Sequence, residues 1–301
     1  MSALLQAKTT RKMKEKLIEF FFFLCALSSV AVTFSIVYTL VSEAFPFFKV
    51  VSIKEFLTST EWTPLFENPR YGIWPLLSGT LMTTVIALSI AIPFGLITSV
   101  FLSEYASSRV REIFKPLLEL LAAVPTVVYG YFAMLFVTPL LQSVLPELGA
   151  FNALSAGLVM GLMIVPYVSS LSEDAMRAVP QSLREGSLAL GASKFQTSFK
   201  VVLPSAFSGI ASSYVLAISR AIGETMVVAI AAGLQPQFTF NPLNSTATLT
   251  AYIVQVSLGD LPHGSIGYQT IYVAGLTLFI FTFALNIVGQ LIRRSLQKRV
   301  K

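Results

Sequence analysis

Long apolar stretches constrain this chain more than any other feature of its sequence. Hydrophobic residues make up 54% of its 301 residues and charged residues 12%, outside the usual range of soluble domains. A helix needs roughly 20 apolar residues to cross a bilayer core, where only helices or closed barrels satisfy their backbone. The sequence therefore predicts an all-α polytopic membrane protein. Six transmembrane helices are predicted, at residues 20–42, 73–102, 120–146, 148–172, 205–234 and 266–292.

The first apolar stretch follows a basic segment, an arrangement that also begins secretion signals. Its apolar run is longer than the core of a typical signal, and no clear small-residue cleavage site precedes Glu43. We therefore interpret this stretch as a retained transmembrane anchor.

Lys and Arg residues are unequally distributed among the connecting segments. Most of the 21 lie before the first stretch, between the second and third, between the fourth and fifth, and after the sixth. The segments on the opposite side hold Lys49, Lys54 and Arg70. By the positive-inside rule, both termini are predicted to lie in the cytoplasm. The net charge of +6 reflects this topology and gives no support to nucleic-acid binding.

A polar segment separates the fourth and fifth apolar stretches. Ser182 with Glu185, and Ser193 with Gln196, each have the spacing of a capping box at the start of a helix. Gly191 lies between the two boxes and suits the left-handed turn that ends a helix. The pattern predicts a helix, a tight turn and a second helix. A surface hairpin that only covers its own helix ends is the alternative interpretation.

This segment, EGSLALGASKFQTSFKVVLP at residues 185–204, resembles the EAA loop of bacterial ABC importer permeases, which contacts the ATP-hydrolysing subunit. The shared features are an acidic residue, a glycine six positions later and a terminal Leu-Pro. One departure is that Gly and Ser stand where the loop usually has two alanines. The resemblance implies that the residues coupling to the ATPase are Glu185, Gly186, Ser187, Gly191, Val201, Leu203 and Pro204.

Two charges, Arg220 and Glu224, lie within the fifth apolar stretch. A continuous helix rises about 1.5 Å per residue, which puts Arg220 roughly 24 Å beyond Pro204 and at membrane depth. Such an arginine generally faces a bundle interior or a water-filled cavity. The spacing i, i+4 places both side chains on one helix face and within pairing reach.

Two interpretations of this pair follow. Either the charges neutralise each other and fix the packing, or Arg220 faces a substrate pathway and Glu224 holds it or exchanges with the solute. A planar, permanently charged guanidinium suits an oxyanion. We favour Arg220 and Glu224 as substrate-pathway residues.

Residues for catalysis or metal binding are not evident in the sequence. Cys25 is the single cysteine, the single histidine His263 lies in a predicted turn, and no Walker motif or nucleophile–base pattern is present. We expect no catalytic residue, no metal site and no cofactor in this chain. ATP and Mg would be used by a separate ATPase chain. Prolines within the apolar stretches, such as Pro125, are expected to kink their helices.

Three runs of sequence resemble the PstC family of phosphate importer permeases. They are residues 124–130, 219–233 and 250–287, and the likeness extends over about residues 72–294. The resemblance implies the type I ABC importer fold (MetI-like), a core of five helices with one N-terminal helix added. It further implies a second permease (PstA-like), two copies of an ATPase subunit (PstB-like) and a phosphate-binding protein (PstS-like). The implied function is ATP-driven uptake of inorganic phosphate by alternating access.

The chain is expected to form one membrane domain at residues 72–294, with its cytoplasmic coupling loop at about 173–204. Residues 1–71 would supply the N-terminal segment, first helix and outer loop, and residues 295–301 a basic tail. Alternative functions are a permease for sulfate, molybdate or tungstate, a secondary carrier, and a regulatory membrane subunit.

Overall fold

Helices make up most of the protein in this computed structural model, which describes the backbone of residues 2–300 and the side chains of residues 14–291. The predicted all-α class is confirmed. The helices are α1 (Ser2–Val50), α2 (Ile53–Thr58), α3 (Trp74–Val100), α4 (Ser108–Ala123), α5 (Thr126–Phe132), α6 (Thr138–Gln142), α7 (Ala153–Arg177), α8 (Gln181–Ala189), α9 (Lys194–Thr197), α10 (Leu203–Ile222), α11 (Met226–Ala231), α12 (Leu249–Ser257) and α13 (Ile266–Val300). π-helical turns at Phe101–Tyr105, Ala133–Val137 and Ser198–Val202 extend or join neighbouring helices.

Among the described residues, five helical segments are long and apolar enough to cross a membrane. A sixth span results if two helices, Ser108–Ala123 and Thr126–Gln142, are taken together as one span bent by 85°. The chain is thus a multi-pass membrane protein. The predicted basic tail at 295–301, and the basic residues before residue 14, lie outside the described side chains.

The third predicted span, residues 120–146, is not one straight helix. α4 ends at Ala123, and Pro125 is the N-cap of α5, which begins at Thr126. Proline has no N–H and disfavours the helical conformation of the residue before it, Val124, whose backbone is extended with ψ of 131°. The expectation of a proline kink is confirmed at Pro125, but the bend is sharp enough to redirect the chain.

α3 and α7 form the central helix pair, and glycines bring them into close contact. A Cβ atom built on Gly157 would lie 2.7 Å from the side chain of Ile86, and one on Gly161 would lie 2.8 Å from the carbonyl oxygen of Ala87. Small residues at a helix interface allow backbones in a membrane to approach closely. The buried core extends from this pair to α10, α11 and α12.

The fifth predicted span, residues 205–234, was wrong as a single helix. α10 ends at Ile222, Gly223 is its C-cap, and the short α11 follows after Thr225. The chain then folds back, so that α12, expected to lie in an outer loop at 235–265, is packed into the bundle. Its N-terminal residues are held against α3, where the backbone N–H of Leu249 donates a 3.0 Å hydrogen bond to the hydroxyl of Thr80.

The segment between α1 and α3 also packs onto the bundle. Trp62 is 1% exposed, and its ring lies edge-on to Tyr252 of α12 at a centroid distance of 5.3 Å. Phe66 is exposed, and Trp74 donates a 2.7 Å hydrogen bond to the carbonyl of Leu57. This layer covers the end of the bundle opposite to α8 and α9.

Candidate functional site

The predicted helix–turn–helix is present at α8 and α9. Gly191 has φ of +84°, and nothing lies within 4 Å of a Cβ built on it. The glycine is therefore required for its left-handed backbone and not for space. Ser193 and Gln196 form the predicted reciprocal capping box at the start of α9.

The other predicted capping box is wrong. α8 begins at Gln181, two residues earlier than expected, and Pro180 is its N-cap with no side-chain hydrogen bond. Because Ser182 and Glu185 both lie inside α8, Glu185 is left exposed and available to a partner.

Small residues of α8 and α9 hold the two helices together. The hydroxyls of Ser187 and Thr197 lie 2.9 Å apart, within hydrogen-bond distance. Gly186 faces open space and makes no close contact. The sequence departure at these two positions therefore leaves the hairpin intact.

The tip of the hairpin presents apolar side chains to the surface. Leu190 is 90% exposed, Phe195 is 61% exposed, and the rings of Phe195 and Phe199 lie 4.5 Å apart between centroids. An exposed apolar patch of this kind indicates an interaction surface. Glu185 of α8 and Gly191 in the turn belong to the same hairpin as this apolar patch.

The segment at residues 185–204 continues directly into the helix that contains Arg220. Lys194 to Ile222 form one helical span of 29 residues, with the π turn at Ser198–Val202 inside it. Val201 lies in that turn, and Leu203 and Pro204 follow it as the first residues of α10. The turn at Gly191 and Arg220 are therefore joined by a continuous helix.

Arg220 lies in the last turn of α10 and is partly exposed. Its guanidinium carbon lies 5.8 Å from the ring centroid of Tyr167 on α7, a cation–π arrangement. The guanidinium is thus oriented by an aromatic face at the interior end of the helix, and its donors remain able to bind an anion.

Glu224 does not share a helix face with Arg220, because α10 ends between them at Gly223. No ion pair within 4.0 Å joins the two side chains in the described part of the chain. The expected i, i+4 pairing is therefore wrong. Instead, Oε1 of Glu224 accepts hydrogen bonds from the N–H groups of Met226 and Val227, at 3.1 and 3.3 Å.

Glu224 precedes the N-cap residue Thr225, and its side chain thus supplies the acceptor for the first N–H groups of α11. A carboxylate is stabilised at a helix start, since free N–H groups point toward it. Glu224 is 7% exposed, and the hydroxyl of Thr250 donates a 2.6 Å hydrogen bond to its backbone carbonyl. The break between α10 and α11 is thus stabilised by hydrogen bonds from both α11 and α12.

A second group of charges joins α4 to α7. The side chain of Glu173 is fully buried, and Lys115 donates a 2.8 Å hydrogen bond to its Oε2. Arg111 and Arg177 lie 3.7 and 3.6 Å from Oε1. Three cations offset the cost of burying one carboxylate. Glu173 was expected at the start of the cytoplasmic loop and lies within α7.

Sequence reasoning missed Tyr167, Thr250 and Glu173. A tyrosine after a proline in an apolar stretch, or a threonine in a presumed loop, gives no signal of what it contacts. The acidic pair Glu173 and Asp174 at the end of an apolar stretch was a usable signal, because charges there need partners.

Comparison with known proteins decides the family. The family described as "Binding-protein-dependent transport system inner membrane component" matches residues 91–301. The chain belongs to this family. The permease is 34% identical to the probable ABC transporter permease protein YqgH of Bacillus subtilis, over 86% of this chain and 84% of the relative. It is 31% identical to the phosphate transport system permease protein PstC of Xylella fastidiosa, over 81% of this chain and 80% of the relative.

Solved structures agree on the fold. The permease matches a bacterial ABC transporter for import of the acidic polysaccharide alginate, with a TM-score of 0.65, 15% identity, and coverage of 95% of this chain and 99% of that one. It matches the inward-facing MetNI methionine ABC transporter with a TM-score of 0.54 and 17% identity. The match covers 75% of this chain and 94% of that one. The predicted type I ABC importer fold is confirmed, and the chain is a membrane-spanning transport subunit.

Proposed function

We propose that this chain is the permease subunit of an ATP-driven importer of inorganic phosphate and forms half of the translocation pathway. Relatives named PstC support phosphate as the cargo, including that of Haemophilus influenzae, which is 31% identical over 81% of this chain. The observation that carries the proposal is the position of Arg220. It is a permanent cation at the interior end of a helix that begins at the coupling turn.

The continuous helix supplies the mechanical link. Closure of an ATPase dimer displaces the hairpin tip around Gly191, and the helix from Lys194 to Ile222 transmits this displacement to Arg220. ATP binding opens the pathway outward to receive the anion, and hydrolysis returns it to the inward-open state. The break at Gly223 lets α10 move while α11 stays packed against α5 and α7.

Phosphate is distinguished from sulfate by a proton. Monohydrogen phosphate carries an O–H donor, whereas sulfate has acceptor oxygens alone, so an ionised carboxylate near the anion favours phosphate. Glu224 lies across the break at Gly223 from Arg220, and within the described residues its side-chain hydrogen bonds involve Oε1. In this proposal Oε2 accepts the phosphate proton while the Arg220 guanidinium binds the anionic oxygens.

The remaining subunits belong to the same proposal. A PstA-like permease forms the other half of the pathway, two PstB-like ATPase subunits bind ATP and Mg, and a PstS-like protein delivers phosphate. This chain binds no cofactor and is not itself an enzyme. The complex lies in the bacterial inner membrane with both termini of this chain in the cytoplasm, on the side of most Lys and Arg residues.

Uptake by reconstituted vesicles tests this function. With the four partner subunits present and ATP available to the ATPase, labelled phosphate is expected to accumulate, and excess unlabelled phosphate but not sulfate should compete. Omitting the ATPase should abolish uptake. Uptake that persists without the ATPase would indicate a secondary carrier, and equal competition by sulfate would indicate a general oxyanion permease.

A further inference from the structure

A cationic cavity lies beside the coupling hairpin, and Arg220 is not among the residues that line it. Its volume is 380 Å³. The charged side chains that line it belong to four helices and the turn after α3, and they are Arg111, Arg177, Arg184, Lys194 and Glu104. Four cations thus face one carboxylate.

The carboxylate in the wall is already engaged. Glu104 accepts hydrogen bonds from Arg184 at 3.0 and 3.3 Å and one from Ser103 at 2.8 Å. Arg184 is further fixed by the carbonyls of Met176 and Val179. These two side chains neutralise each other, which leaves the charges of the other three cations to be balanced.

Glu173 balances them only in part. Its Oε1 lies 3.7 Å from Arg111 and 3.6 Å from Arg177, and this buried oxygen has no hydrogen-bond partner among the described residues. Lys115 donates to the other oxygen at 2.8 Å and also pairs with Asp174 at 2.6 Å. Two carboxylates therefore face three cations, which leaves excess positive charge at the cavity.

Lys194 adds a further charge from the hairpin. Its ammonium group lies 5.2 Å from the ring centroid of Tyr105, and no carboxylate lies within 4.0 Å of it in the described part of the chain. Uncharged donors Gln181 and Thr197 complete the wall. Guanidinium forks together with an ammonium group are the donors that proteins use for phosphoryl oxygens.

We propose that this cavity binds a phosphoryl anion, either inorganic phosphate or the phosphate of a lipid headgroup. A dianion there would receive donors from α4, α7, α8 and α9 at once. Given the proposed coupling role of the hairpin, the bound anion would tie the hairpin to the membrane helices and stabilise the arrangement in this structure. The cavity is thus a control point separate from the transport pathway.

The test compares variants of the whole importer complex, assembled without the binding protein in phosphatidylcholine nanodiscs. All carry Arg220→Gln, so that phosphate bound in the proposed pathway does not enter the comparison. The test variant adds Arg177→Gln and Lys194→Gln, which remove two cavity cations with helix-compatible side chains. The control adds Arg109→Gln, an exposed basic residue of α4 outside the cavity.

Two ligands are measured, labelled inorganic phosphate at constant ionic strength and phosphatidic acid added to the nanodisc. We expect the control to bind at least one of them and the test variant to bind it at least tenfold more weakly. Loss of phosphate binding identifies the free anion, and loss of retained phosphatidic acid identifies the lipid. Equal binding of both ligands by test and control variants overturns the proposal.

If the double variant does not assemble, the two single variants, Arg177→Gln and Lys194→Gln, are measured instead, and each is expected to bind the ligand more weakly than the control. Uptake by the Arg220→Gln complex is a separate measurement, so failure of the transport proposal is distinguished from failure of this one.

Discussion

The hydroxyl of Thr250 donates a 2.6 Å hydrogen bond to the backbone carbonyl of Glu224. The two residues are far apart in sequence, and the bond fixes the point at which the chain leaves α10 and turns toward α11. Both residues are buried, at 6% and 7% exposure. The break beside Arg220 is therefore a structured feature with its own tertiary partner.

Replacing that hydroxyl tests how much the break depends on it. Thr250→Val leaves a buried carbonyl without its side-chain partner, so the free energy of unfolding should fall by about 1–3 kcal/mol. The hydroxyl of Thr277 bonds to the carbonyl of Val273 within α13, an acceptor that the helix already uses. Thr277→Val should change stability by about 0.5 kcal/mol or less. Thermal unfolding of the complex measures both, and equal effects of the two variants would contradict this role for Thr250.

Gly191→Pro should uncouple the hairpin from transport. Proline is confined to φ near −65° and cannot adopt the +84° of this turn, and it lacks the N–H that bonds to Leu188. If backbone strain of about 1–3 kcal/mol falls on the state in which the hairpin engages the ATPase, the uptake rate should drop roughly five- to 150-fold. Phosphate uptake and transport-stimulated ATP hydrolysis are the measurements.

The matched control for that variant is Gly186→Ala. Nothing lies within 4 Å of a Cβ at Gly186, which is inside α8. Alanine there should stabilise the helix by up to about 1 kcal/mol and leave transport intact. Normal transport by Gly191→Pro, or equal losses in both variants, would count against a coupling role for the turn.

Two adjacent acidic residues should differ sharply in their contribution to stability. Glu173→Gln removes a fully buried charge from three cations and should cost about 3–5 kcal/mol. Asp174 also pairs with Lys115, but its side chain is 58% exposed, so Asp174→Asn should cost at most about 1 kcal/mol. Denaturation of the two purified variants compares them. A stable Glu173→Gln protein would show that the α4–α7 network is dispensable.

Glu224→Gln tests the proposed selectivity. The amide oxygen of glutamine still caps α11 through Met226 and Val227, so the fold should persist. Without the second carboxylate oxygen as an acceptor for the phosphate proton, a preference of about 1–3 kcal/mol for phosphate over sulfate should be lost. Competition by sulfate for labelled phosphate uptake is the readout. Unchanged exclusion of sulfate would remove Glu224 from the selectivity mechanism.

The sequence was sufficient to predict those features that depend on residues close together in the chain. The apolar stretches, the left-handed Gly191 and the capping box at Ser193 each depend on a few neighbouring residues, and the structure contains them all. The bend at Pro125 was also within reach of sequence, because proline acts on its own backbone.

The interior break at Gly223 was out of reach. The apolar pattern of residues 205–234 continues through it, so periodicity alone indicates one helix. Ending a helix inside the protein requires partners for its free backbone groups. Those partners are the Glu224 carboxylate and the distant Thr250 hydroxyl, which local sequence does not reveal.

Arg220→Gln provides the most direct measurement of the transport function. In reconstituted vesicles with all partner subunits, initial phosphate uptake should fall roughly ten- to 150-fold, as expected from losing about 1.5–3 kcal/mol of charge-assisted hydrogen bonding. Assembly and basal ATP hydrolysis should be retained, and Arg70→Gln, an exposed basic residue on the opposite side of the membrane from the hairpin, should transport normally. An assembled Arg220→Gln complex with unchanged phosphate uptake would contradict the assignment of Arg220 to the pathway.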